Sequence, residues 1–428
     1  MTGLDDAPGS AARSGVGRSV STWLVDGLGV DGARVDIEVV DGVVATIEPA
    51  GTQPRRDGGV DLDGRLVIPS LVEPHAHLDK ALTADRVPNP AGDLMGAIDG
   101  WIAAARAGEF TPADTEVRAT QAMEALLFSG VTRIRTHVNV GRDDSIDALR
   151  ALQRAAQGFD GLIDVEIVAL TASPMTGVDG ADNRTALLRA VEAGVDLIGG
   201  CPHLDADPVR MIDDVLAIAT DAGRGLDLHV DETLEVDVLT LETLAQRVIE
   251  TGFSLPVTAS HCVSLGMQPP EVQSRIAAVV AEAGITVVTL PQTNLFLQGR
   301  EHTHAVPRGL TAIGALVDAG VSVVGGGDNV EDPFNLLGRS DPLETAALLV
   351  MAGHLRPEAA LAMVVAAPGE QTAGVDDPLT LRVGAAADLV ALDATSVRGA
   401  IARAPADRMV LRGGVVVAET HLQRRTIR

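Results

Sequence analysis

The sequence has no tyrosine, two tryptophans and six phenylalanines. A ligand caged by aromatic rings or stacked between them is poorly served by so few, so polar and aliphatic groups must do most of any binding. Cysteine is nearly as scarce. Cys201 and Cys262 are the whole complement, which excludes a disulfide scaffold. A basic surplus is also missing: 33 Lys and Arg stand against 59 Asp and Glu, a formal net charge of -26. Phosphate contacts need a positive footprint, so nucleic acid is not an expected partner, and the charge reads as a solubility feature. Apolar runs such as IAAVV (276–280) are far too short to span a bilayer. The opening MTGLDDAPGSAARSGVGRS lacks the apolar core of a signal peptide. A cytoplasmic location with no membrane partner is the expectation.

What is present suits a large α/β protein. Of the 428 residues, 46% are hydrophobic and 21% charged, enough to bury a sizeable core and too apolar for disorder. The length fits a barrel with a smaller companion. Residues 1–18 read as a flexible tail. From residue 19 to 67, short apolar stretches alternate with turns, and VDIEVVDGVVATI predicts antiparallel strands joined at its Asp-Gly.

After Pro69 short apolar runs alternate with Ala-, Leu- and Glu-rich stretches. The candidate strands begin near residues 66, 131, 162, 195, 225, 255, 285 and 321. Several intervening helical stretches end in Ala-Gly, the pattern of a C-capped helix before the next strand. Eight strand–helix repeats predict a closed (β/α)₈ TIM barrel over 68–368. A doubly wound open sheet competes, but GGGDN (325–329) lacks the spacing of a dinucleotide turn. From residue 369 to 428 short strands return and are expected to complete the small β-domain begun at the N-terminus. The segment 81–101, rich in Pro and Gly, reads as a shaped loop over the pocket.

The polar residues gather at the predicted strand ends: His75 and His77, His137, His203, His229 with Glu232, His261, Gln292 with Asn294, and Asp328 with Asn329. Active sites of such barrels are assembled from this rim. His75-Ala76-His77 on a strand puts both imidazoles on one face. Adding His229 and Asp328 gives a nitrogen and oxygen donor set suited to Zn(II) or Fe(II). Glu232 lies three residues past His229, so the chain must turn for both to face one pocket. The other reading of Glu232 is a first-turn acid at a helix N-terminus. Cys262 follows His261 and would face the opposite way, as a buried structural thiol. No GxSxG elbow is present.

EPHAHLDK (73–80), RTHV (135–138), HVDE (229–232), TASH (258–261), NLFLQGR (294–300) and GDNVEDPF (327–334) together resemble the cytosine-deaminase branch of the amidohydrolase superfamily. The late GAAADLVALD (384–393) is similar to the closing β-domain segment of that superfamily. The resemblance implies one divalent metal ion per subunit on His75, His77, His229 and Asp328. It implies a proton-shuttling acid at Glu232, a histidine at His261 that orients the attacking water, and a shared role for Asp328 in taking its proton. Gln298 and His137 match positions near the substrate. Homo-oligomeric assembly is common among such enzymes.

The implied reaction is hydrolytic deamination of a small aminopyrimidine- or aminotriazine-like heterocycle, with no covalent nucleophile. Two departures argue against cytosine. Asn329 stands where cytosine deaminases carry a second aspartate, and ALTASPMTG (169–177) lacks their base-reading glutamine. Lys80 with Asp328-Asn329 instead resembles the triazine-ring amine hydrolases of the N-isopropylammelide amidohydrolase type. There Lys80 would meet an anionic ring oxygen; the plainer reading pairs it with Asp79. Cleavage of an N-alkylamine or cyclic amide C–N bond is therefore the alternative reaction. A non-catalytic metal-binding barrel is the alternative class.

Overall fold

The computed structural model describes residues 21–51, 59–142, 146–370 and 377–427. The tail expected over 1–18 lies outside them. The strands are β1 (Ser21–Leu28), β2 (Arg34–Val40), β3 (Val43–Pro49), β4 (Val60–Asp61), β5 (Leu66–Pro69), β6 (Leu71–Ala76), β7 (Val131–Val140) and β8 (Asp164–Thr171). They continue as β9 (Leu197–Gly199), β10 (Gly225–Val230), β11 (Val257–His261), β12 (Thr286–Thr289), β13 (Val323–Gly325), β14 (Leu389–Leu392), β15 (Arg408–Arg412) and β16 (Val415–Thr420).

Strands β6 to β13 form one parallel sheet in sequence order. It closes on itself. Ala76 and Asp328 form a parallel bridge, and the Asp328 amide donates to the His75 carbonyl at 3.0 Å. That closure excludes the open doubly wound sheet and establishes a (β/α)₈ barrel. Each predicted helical stretch between strands is a helix, among them Pro112–Phe128, Pro208–Ala222 and Thr240–Thr251. The last two end on Gly223 and Gly252 with φ of 65° and 64°, a left-handed C-cap that only glycine adopts without strain.

The second sheet runs β16-β15-β14-β5-β1-β2-β3, with β4 beside β1. It joins N- and C-terminal strands, so the barrel is inserted into a small β-domain. Its β2–β3 hairpin turns at Asp41 and Gly42, φ 51° and 82°, as an Asp-Gly pair permits in a tight hairpin. Leu24, Ile37, Val67, Leu389 and Leu411 make its separate core.

Two predicted elements differ. Residues 285–294 do not continue as one strand. Strand β12 stops at Thr289, and Pro291 starts the helix Pro291–Leu297, since proline suits the first helical position and not a central strand. The segment 81–101 is a loop only in its first half. Its second half belongs to α1 (Leu94–Arg106), capped by the Asp93 carboxylate accepting from the Gly96 amide at 2.7 Å. Two glycines disguised this helix, because they lower helix propensity. They are there for contact: a Cβ on Gly100 would meet the Pro88 carbonyl oxygen at 2.9 Å, and one on Gly96 would meet Asn89 Oδ1 at 2.5 Å. Among the described residues, no helix is long and apolar enough to cross a membrane.

Candidate metal centre and active site

The barrel strands deliver imidazoles to one point. His75 and His77 come from the end of β6, His229 from β10 and His261 from β11. His77 Nε2 lies 3.1 Å from His229 Nε2 and 3.3 Å from Asp328 Oδ1. His75 Nε2 lies 3.6 Å from the same Asp328 oxygen. The donor atoms of His75, His77 and Asp328 fall within 4.8 Å of one another, as do those of His75, His137 and His229. His75 Nε2, both Asp328 oxygens and His261 Nε2 are buried without a hydrogen-bond partner. Such orphaned groups are costly unless something else satisfies them. A divalent ion held by His75, His77, His229 and Asp328 would satisfy most of them at once, so the residues present fit a metal.

The backbone aims these side chains. Asp231, His261 and Asp328 have φ of 52°, 70° and 66°, a left-handed region that costs non-glycine residues free energy and clusters at working sites. The turn at Asp231 resolves the question of the neighbouring acids. Asp231 is the one at the helix N-terminus: its carboxylate accepts from the Thr240 and Leu241 amides at 2.9 and 3.0 Å. Glu232 lines the cavity instead. Its Oε1 lies 3.6 Å from His261 Nδ1.

Electrostatics follow from burial. Before any ion is considered, burial and then Asp328 hold the Glu232 carboxyl well above the usual carboxylate range. Burial also lowers His261 to about 3, against the Asn294 bond, and holds His75 and His77 well below their ordinary values. The histidines are therefore neutral at pH 7, the form that binds metal. His261 Nδ1 faces Asn294 Oδ1 at 3.0 Å, so this amide fixes its tautomer and its aim.

The cavity above this floor has a volume of about 580 Å³. Lys80 lies in its wall, only 2% exposed. Its Nζ donates to Asn139 Oδ1 at 2.8 Å, touches Asp79 Oδ1 at 3.4 Å and sits 3.1 Å from His77 Nδ1. With an ion on Nε2, His77 would keep a proton on Nδ1, and Lys80 would retain its bonds to Asn139 and Asp79. Asn329 also lines the cavity; its amide nitrogen donates to Asp332 Oδ2 at 2.7 Å. Gln298 does not reach the lining, and its Nε2 donates to the Glu232 carbonyl at 3.2 Å. His137 is fully buried below the site, its ring 4.0 Å from that of His75. His203 and Cys201 line the cavity; burial lowers the His203 pKa to about 4 and raises that of Cys201 to about 12. Phe334 is the one phenyl or indole ring in the lining.

Sequence reasoning missed the network beneath the imidazole–carboxylate cluster. Ser260 Oγ pairs with His75 Nδ1 at 2.9 Å and donates to Asp227 Oδ1 at 3.2 Å. His137 Nε2 sits 3.3 Å from that oxygen. Arg135 holds Asp227 Oδ2 at 2.9 Å and Glu166 Oε2 at 2.9 Å. Burial alone would raise the Asp227 pKa, yet His137 and Arg135 leave it lowered. This network fixes the orientation of His75 from behind. Arg135→Met should therefore destabilise the protein by about 3–5 kcal/mol, because it strands a buried carboxylate. Urea unfolding would measure it. A loss typical of a surface ion pair would show that the network bears no such strain.

The amidohydrolase family profile matches residues 104–418. A pterin deaminase from Rhizobium rhizogenes is 34% identical over 389 residues, which cover 90% of this chain and 88% of that protein. The crystal structure of 5-methylcytosine deaminase from Klebsiella pneumoniae liganded with 5-fluorocytosine superposes with a TM-score of 0.83 at 29% identity, over 95% of this chain and 99% of the other. N-isopropylammelide isopropylaminohydrolase from Burkholderia multivorans superposes with a TM-score of 0.78 at 29% identity, over 93% and 98% of the two chains.

Proposed function

This chain belongs to the amidohydrolase family and is a hydrolase of C–N bonds; from that premise we propose that it deaminates a small amino-substituted N-heterocycle, releasing ammonia. The observation that carries the proposal is the placement of Glu232, held protonated by burial, beside neutral His261 and the imidazole–carboxylate cluster at the floor of one cavity. A cluster that served only to bind metal would have no use for a buried neutral carboxyl facing the ligand space. Similarity to deaminases of a pterin and of 5-methylcytosine supports the same reading.

A divalent ion held by His75, His77, His229 and Asp328 supplies Lewis acidity and makes water acidic enough to attack at neutral pH. The chain's own groups do the rest. His261, oriented by Asn294, accepts a proton from the attacking water. Glu232 gives its proton to the ring nitrogen, which makes the amine-bearing carbon electrophilic; as the C–N bond breaks, the proton held by His261 passes to the departing amine and Glu232 takes the remaining hydroxyl proton as the C=O forms, so both groups return to their starting states. Lys80 meets a ring oxygen bearing negative charge. Asn329, with its nitrogen engaged by Asp332, offers its carbonyl oxygen to a ring N–H. His137 acts through His75, and Gln298 through the Glu232 backbone, as positioning residues.

The ion in this reading is zinc or iron, both of which suit imidazole and carboxylate donors. The setting is cytoplasmic, with homo-oligomeric assembly. The net charge of -26 speaks against a nucleic-acid partner. A second reaction, loss of an alkylamine, is favoured by Lys80 in the cavity wall and by similarity to the isopropylaminohydrolase.

The test is a screen of the zinc-loaded and iron-loaded protein against aminopyrimidines, aminotriazines and pterins, following ammonia release and product mass together. Ammonia with a product in which oxygen replaces NH is the expected result. Alkylamine release without ammonia would select the second reaction. No turnover with any ring would overturn both.

A further inference from the structure

The cavity is larger than a single ring requires. At about 580 Å³ it falls in the range that buries a drug-sized ligand, and part of its lining is aliphatic, unlike the imidazole–carboxylate cluster at its floor. Leu94, Ile98, Ile102 and Ala105 line it from α1. Steps of four, four and three residues put these four side chains on one helix face. That face is half-buried and looks into the cavity rather than onto packed neighbours. Leu170, Pro174 and Leu204 add further apolar lining.

Two polar side chains of this arm, Asn183 and Asp205, are already engaged by the protein. Asn183 Oδ1 accepts from the Arg142 amide at 2.8 Å, and its Nδ2 donates to the Pro174 carbonyl at 2.8 Å. Asp205 accepts from the amides of Met175, Thr176 and Asp207 and from the Thr176 hydroxyl. Asn183 and Asp205, spent in this way, hold the loops in shape, and the aliphatic side chains of α1 form the apolar wall. An apolar wall open to water is unfavourable in the free protein, and a ligand that covers it recovers that free energy.

We propose that the preferred substrate is an amino-heterocycle extended by an apolar substituent or fused ring, with the reacting carbon over the metal cluster and the apolar part laid along α1. This rests on the deaminase reading for which end enters first. The helix face thus becomes the specificity element: Ile98 and Ile102 select size and apolarity, while the floor of the barrel selects the ring. An unsubstituted single-ring substrate would leave the arm filled with water and forgo the contact.

The test uses calorimetry on the zinc-loaded protein with deamino analogues, so that binding is read without turnover. The deamino form of a pterin carrying a phenyl group should bind at least about 10-fold more tightly than the deamino form of an unsubstituted aminopyrimidine, as expected when a group of several carbons enters an apolar pocket. Ile98→Asp should erase that preference and leave the pyrimidine affinity unchanged. Ile102→Ala, a milder truncation, should weaken the preference if the charged variant fails to fold. Three results would overturn the proposal: equal binding of the bare ring, tighter binding of a pterin carrying a carboxylate, or loss of both affinities alike in Ile98→Asp. If the binding order holds but no amine-bearing form is turned over, the arm stands and the deaminase reading fails.

Discussion

Asp328→Ala should lose both its metal and its turnover, with an activity loss exceeding the roughly 10²–10⁴-fold that a missing general acid costs. The side chain is 1% exposed, and both its oxygens lack hydrogen-bond partners while facing His75, His77 and His261. Burial, then Asp332, holds its carboxyl well above the usual range in the protein alone. A buried carboxyl kept neutral contributes little to folding. A bound cation would return it to the charged form, and metal affinity and acidity are then linked. Alanine at a φ of 66° carries about 1–2 kcal/mol of backbone strain. That strain is common to the metal-free and metal-loaded variant and cancels in their difference. The parent should gain about 2.7 kcal/mol at a metal concentration roughly 100 times Kd, and Asp328→Ala almost none. Thermal unfolding with and without zinc, alongside metal analysis, measures both. A variant stabilised by zinc as much as the parent would remove Asp328 from the ligand set.

The same residues show where sequence reading reaches and where it stops. The eight barrel strands are visible because each is a short apolar run, and several of the helical stretches between them end in glycine. The β2–β3 hairpin was visible in Asp41-Gly42. His75 and His77 stood out because a period of two on a strand makes two side chains neighbours without any knowledge of the fold. The Asp227–Ser260–Arg135 network was not visible. An aspartate, a serine and an arginine inside three separate strands look ordinary until the closed barrel lets Arg135 of β7 reach across to the neighbouring strands β10 and β11. His137 carries the same lesson. It lies on a strand that supplies the rim, yet its ring points down toward Asp227, because depth along a strand is set by register, which the sequence does not print. Asp231 and Glu232 differ by one position, and which of them faces the cavity depended on a single left-handed residue. Helix α1 was half hidden for a packing reason, since its glycines answer to Pro88 and Asn89 rather than to helix propensity. The buried network and His137 depend on contacts between residues far apart in sequence, the choice between Asp231 and Glu232 on one backbone angle, and α1 on contacts with the loop just before it.

Glu232→Gln is the sharper test of chemistry, because it should remove the reaction and leave the metal in place. Glutamine keeps the shape of the side chain and its place beside His261, but it has no proton to deliver at any working pH. Turnover should fall by roughly 10²–10⁴-fold, while metal content and the affinity for a deamino analogue stay near those of the parent. The pH profile adds a sign that a merely structural role would not produce. A Glu232 pKa raised by burial means the acid is present at neutral pH and is lost as pH rises through that value, so the parent's rate should fall on the alkaline side. The residual rate of Glu232→Gln should lack that limb, since the group responsible for it is gone. Retention of turnover within a few-fold of the parent would remove Glu232 from the chemistry. An unchanged alkaline limb in a slow variant would assign the titration elsewhere in the cavity and leave Glu232 as a binding group. Loss of metal together with activity would instead mean that the carboxyl supports the ligand cluster, and the proton transfers would have to be carried by His261 alone.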